Sequence, residues 1–100
     1  MNVEIQSVRF DADQRLIDFV NAKMAKLERF AEEATSAEVI MKVDKDHENG
    51  NKVVTLKLEV PGADLVAETR SKTFEEAVDE AVEAIKKQHE RHKERFNRER

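Results

Sequence analysis

Residues 52–62 read KVVTLKLEVPG, and this stretch decides the architecture of the chain. Val54, Leu56, Leu58 and Val60 alternate with Thr55, Lys57 and Glu59, the period of a strand with one buried and one wetted face. Pro61-Gly62 closes it, because proline presets φ for a tight turn and glycine accepts a positive φ. A partner strand is therefore expected just beyond, at Leu65 to Arg70. Upstream, the polar segment Lys45 to Asn51 holds Asn49-Gly50, a favoured pair in reversing loops. Before it, residues 37–44 alternate again, Val39, Met41 and Val43 against Glu38, Ile40 and Lys42. Three strands joined by two hairpins run antiparallel.

Outside these strands the period becomes that of a helix. Leu16, Ile17, Val20, Met24, Leu27 and Ala31 recur at steps of three and four and make one apolar stripe. Asp11 or Asp13 is placed to cap this helix, which runs to about Phe30. Thr73 and Glu76 have the spacing of a capping box and open a second, longer helix that reaches about Asn97. Residues 2–8 add a short strand, with Val3 and Ile5 opposite Glu4 and Gln6. The order is β-α-β-β-β-α, which predicts an α+β fold with two helices packed on one face of a four-stranded mixed sheet. A right-handed crossover makes the first two strands parallel. No repeat, low-complexity run or long linker divides the chain, so residues 1–100 are expected to form a single domain.

Composition excludes several functions. Charged residues make up 40% and apolar residues 39%, and no run approaches the roughly 20 apolar residues of a membrane span. MNVEIQSVRF lacks the basic and apolar regions of a signal peptide. With no cysteine, disulfides and thiolate chemistry are absent, which suits a cytoplasmic protein. Two glycines cannot build a glycine-rich phosphate loop, and no serine sits in an elbow context, so we expect no enzyme and no cofactor. His89 and His92 stand three apart, but only His47, in a remote loop, is at hand to support them, which argues against a metal site. They are expected to cover the end of the core or to assist phosphate contact. The five phenylalanines, 10, 19, 30, 74 and 96, fall outside the exposed face of the central strands, unlike the stacking aromatics of an RNA-recognition motif.

Charge is unevenly placed. Lys86 to Arg100 hold seven of the eighteen Lys and Arg against three acids, whereas the preceding residues hold eleven against nineteen. At 100° per residue Lys87, Arg91, Arg95 and Arg98 fall within about 80° of one another, with Lys86, Lys93 and Arg100 on the other flank of the apolar line. Arg15, Lys23, Lys26 and Arg29 gather on one flank of the first helix. Side by side, the helices would present a continuous basic ridge suited to phosphates. The alternative is a solvated helix end, with bases answering the helix dipole and pairs such as Glu90–Lys93 and Glu94–Arg98. The dipole acts over one turn, however, and the basic run covers about four.

Asn21-Ala22-Lys23-Met24-Ala25-Lys26-Leu27-Glu28-Arg29-Phe30 and Lys87-Gln88-His89-Glu90-Arg91-His92-Lys93-Glu94-Arg95, with the element order, resemble the ribosome hibernation promoting factor and ribosome-associated inhibitor (sigma-54 modulation protein) family. The resemblance covers essentially the whole chain and corresponds to the short form, without the further C-terminal domain by which long members pair ribosomes. It implies a double-stranded-RNA-binding-domain-like fold. It also implies binding in the small-subunit channel of messenger RNA and A- and P-site tRNA, where bulk alone blocks initiation and stores ribosomes in stressed or stationary-phase bacteria. By position it implies ribosomal-RNA contacts at Lys23, Lys26 and Arg29, and at Lys86, Lys87, Arg91, Lys93 and Arg95. The partner is then the small subunit, its RNA and its proteins, with no membrane or small-molecule substrate and a monomer in solution. At net charge −4, the acidic run Glu75 to Glu83 must face away from RNA or toward ribosomal protein. The competing reading is a regulatory or assembly module that docks a protein partner through the extension of the second helix.

Overall fold

The computed structural model describes residues 1–45, 48 and 50–98, with side chains through Arg95. The expectations for His47, Asn49, Glu99 and Arg100, and for the side chains of Phe96 and Arg98, including the Glu94–Arg98 pair, lie outside the described residues. The elements are β1 (Asn2–Val8), α1 (Gln14–Phe30), β2 (Ser36–Val43), β3 (Lys52–Val60), β4 (Ala63–Ser71) and α2 (Phe74–Arg98). The sheet order is β1-β2-β3-β4, with β1 parallel to β2 and the other pairs antiparallel. The architecture is the α+β arrangement that the period changes predict.

Local chemistry sets the element ends. Asp13 is the cap of α1, its Oδ1 accepting from the Leu16 amide at 2.9 Å, so the choice between Asp11 and Asp13 falls to the second. β4 begins two residues earlier than its alternation suggests, because Pro61-Gly62 is a two-residue turn that pairs Val60 directly with Ala63. Gly62 takes the positive φ of +85° that the turn requires. At α2 the expected capping box is half made. The Thr73 hydroxyl oxygen accepts from the Glu76 amide at 3.1 Å, but the Glu76 carboxylate accepts from the Ser71 hydroxyl at 2.8 Å. Gly50 crosses so close to the end of β4 that a Cβ there would lie 2.5 Å from the Ser71 carbonyl.

The core lies between the helices and one face of the sheet. Val39, Met41, Val54, Leu56 and Leu58 meet Val20, Met24 and Leu27 of α1 and Val78, Ala81 and Ile85 of α2, all buried. The helices run parallel, since their partners advance together, from Lys23 with Asp79 to Phe30 with Lys86. Phe10 stacks on Phe74 at 4.5 Å where the two helices start. α2 lies across β3 and β4, with α1 beside it toward β1.

The uncovered face of the sheet is charged as well. Glu4, Glu38, Glu59, Asp64 and Glu68 point outward there, with Lys42, Lys57 and Arg70. A depression of about 480 Å³ on that face is lined by Glu4, Glu38 and Glu59 with Lys57. Five acids against three bases leave this face weakly negative, while the larger acidic run, Glu75, Glu76, Asp79, Glu80 and Glu83, lies on the first turns of α2, away from its basic end.

Candidate nucleic-acid interface

α2 outruns the rest of the fold. Gln88 donates to the Val66 carbonyl of β4 at 2.8 Å, and His92 donates from Nε2 to the Pro61 carbonyl at 3.0 Å, in the β3–β4 turn. Six helical residues follow His92, an advance of about 9 Å at 1.5 Å per residue. The molecule measures 47 Å along its longest axis and 16 Å along its shortest.

Six of the eight basic residues singled out by sequence are exposed: Lys26, Arg29, Lys87, Arg91, Lys93 and Arg95. Lys26, Arg29, Lys87, Arg91 and Arg95 form no ion pair with any described residue. Lys23 differs. Its ammonium lies 2.7 Å from Asp79 and 5.3 Å from the centre of the Phe19 ring, so it ties α1 to the acidic start of α2. Lys86 is half-buried, 3.7 Å from Glu83 and 5.4 Å above the centre of the Phe30 ring.

The structure also divides the ridge. Lys87, Arg91 and Arg95 share the flank of Gln88, which leans on β4, while Lys86 and Lys93 share that of His89, which faces α1. Lys26 lies one turn before Phe30 on the side of α1 that meets Lys86, Arg29 points away from the buried stripe of α1, and the other three cations lie across the crest of α2. Two basic edges result, meeting only where the end of α2 projects with both flanks open. Polyanions with phosphates on two sides of a helix, as in folded RNA, suit such a prong.

His89 is 4% exposed and closes the end of the core, with its Nε2 bonded to Glu33 in the loop after α1. An ionised carboxylate only accepts, so the imidazole donates. That hydrogen bond holds the Glu33 carboxyl below its ordinary value. Burial opposes the shift, while the residue's own backbone and the charges of His89 and Lys93 add to it. Sequence reasoning missed Glu33, since nothing in a short acidic loop signals a partner 56 residues away. Among the described residues there is no group of three or more His, Cys, Asp or Glu able to hold a metal, and no helix long and apolar enough to cross a membrane.

Fold and site together define an α+β domain with parallel helices on one face of a mixed sheet and an exposed cationic helix end. Residues 3–97 match the family described as Sigma 54 modulation protein / S30EA ribosomal protein, and the chain belongs to that family. A ribosome hibernation promoting factor of Pseudomonas putida is 30% identical over 95 residues, which cover 95% of this chain and 89% of the relative. One from Azotobacter vinelandii is 32% identical over 95 residues, covering 95% and 85%. Among solved structures, a ribosomal subunit interface protein from Coxiella burnetii superposes with a TM-score of 0.82 at 18% identity, over 93% of this chain and 98% of that one. The N-terminal domain of Thermus thermophilus Protein Y gives 0.76 at 22% identity, over 92% and 99%.

Proposed function

We propose that this chain is a ribosome hibernation factor that binds the small ribosomal subunit in the cytoplasm and holds it inactive. Residues 1–100 act as one ribosome-binding domain. The bound position is the channel of messenger RNA and A- and P-site tRNA, gripped through ribosomal RNA by Lys26, Arg29, Lys86, Lys87, Arg91, Lys93 and Arg95, with Lys23 bracing the helices. Inhibition follows from occupancy, so no residue is asked to make or break a bond. The observation that carries this reading is the projecting end of α2, whose exposed Lys87, Arg91 and Arg95 have no ion-pair partner among the described residues. A helix end serving only as a solvated cap would not need three such cations on one flank.

Charge reversal tests it. Lys87→Glu, Arg91→Glu and Arg95→Glu together should leave the fold intact, since exposed substitutions usually change stability by under about 0.5 kcal/mol each. In a sucrose gradient of a bacterial lysate, the parent protein should travel with the small subunit and the folded triple variant should stay at the top. Equal co-sedimentation of the two would refute the proposed grip.

A further inference from the structure

Phe30 is the last residue of α1 and is 41% exposed. It is the one aromatic among the large apolar side chains left exposed in the described residues, the others being Val8 and Val66. The core does not need it in that position, because Leu27 and Ala31 on either side of it in the chain are fully buried and close that end. The ring is nevertheless held firmly. His89 meets it edge-on, with centroids 5.5 Å apart and planes at 60°, and His89 is in turn fixed by Glu33. The Lys86 ammonium stands over it, 5.4 Å from its centre.

Further cations are within reach of this side. Lys26 lies one helical turn earlier on the same side of α1, and Lys93 is one turn past His89 on the flank that faces α1. A partly exposed aromatic ring with one ammonium resting over it and others on the same side combines the two features an unpaired nucleotide requires. These are a π surface for the base and positive charge for the flanking phosphates. Duplex RNA keeps its base faces inside the stack and would leave the ring unused.

We propose that Phe30 is the stacking platform for one unpaired RNA base, with Lys26 and Lys86 taking the adjoining phosphates. This rests on the RNA-binding reading above and narrows it, since it commits the α1-facing edge to single-stranded nucleotides. Among the described residues Lys86 is held by a 3.7 Å contact to Glu83 and by the ring itself, so it can swing to a phosphate as a base displaces it.

Phe30→Leu keeps an apolar side chain against His89 and removes the π surface, and Phe30→Trp enlarges that surface. Both are measured for affinity to purified small ribosomal subunits over a range of salt, beside thermal unfolding. Phe30→Leu should weaken binding about 5- to 150-fold, the range for loss of one stacked base, and Phe30→Trp should bind at least as tightly as the parent. The slope of log affinity against log salt should be the same in all three, because no ionic contact is lost. Parent-like affinity in Phe30→Leu overturns the platform while leaving the RNA-binding reading intact. Absence of binding by the parent overturns both. With benzoylphenylalanine at position 30, crosslinks to ribosomal RNA support the proposal, and crosslinks confined to ribosomal protein overturn it.

Discussion

Replacing Lys87, Arg91 and Arg95 by Gln separates the phosphate grip from folding more finely than charge reversal does, because it removes three cations and adds no repulsion. All three are exposed, and none is in an ion pair with a described residue, so each can neutralise one phosphate. The slope of log affinity against log salt changes by about 0.7–0.9 per contact, so the triple variant should lose roughly 2–3 units of slope. Lys23→Gln is the contrasting case. Its ammonium is already 2.7 Å from Asp79, so its loss should change the slope by well under one unit. The lost ion pair should instead lower stability by up to about 1 kcal/mol. Fluorescence titration of labelled protein against small subunits from about 50 to 200 mM salt, a range over which such slopes are readily measured, provides the comparison. A triple variant with an unchanged slope, or a Lys23 variant that loses a full contact, would refute the assignment.

Two further substitutions test how the fold is held together. Gly50→Ala sets a Cβ 2.5 Å from the Ser71 carbonyl at a φ of +125°, and should cost more than about 1 kcal/mol, lowering the melting temperature by at least roughly 4 °C. An unaltered melting curve would contradict the close crossing. The Glu33 carboxyl titrates below its ordinary value of 4.5 in the folded protein, so its contribution is complete above that value and disappears as pH falls through the lowered one. Glu33→Gln should therefore show a shallower loss of stability below about pH 4.5 in denaturant titrations, and an acid profile matching the parent's would contradict the His89 bond.

Much of this could be read from the chain alone. The alternation of Val54, Leu56, Leu58 and Val60 and the stripe from Leu16 to Ala31 each report one buried face, a local property, and the element order follows from them. What was hidden depends on which surfaces meet. A helical wheel groups Lys23 with Lys26 and Arg29, and only the parallel packing of α1 on α2 brings Asp79 to the first and leaves the others open. The same packing puts Lys87, Arg91 and Arg95 across the crest of α2 from Lys86 and Lys93. It also brings Glu33 to His89 and Lys86 to Phe30. The half-made capping box has a similar origin, because Ser71 at the end of β4 competes for the Glu76 carboxylate. The acidic open face was latent in the outward positions of the strands, where Glu38, Glu59 and Glu68 alternate with core residues.

If the domain occupies the decoding channel, its inhibition of a purified translation system is stoichiometric and competitive. One molecule per small subunit should suffice to stop initiation, and excess initiator tRNA with messenger RNA should restore it. Inhibition of many ribosomes by one molecule, or binding undiminished on ribosomes already filled with tRNA and messenger, would contradict it.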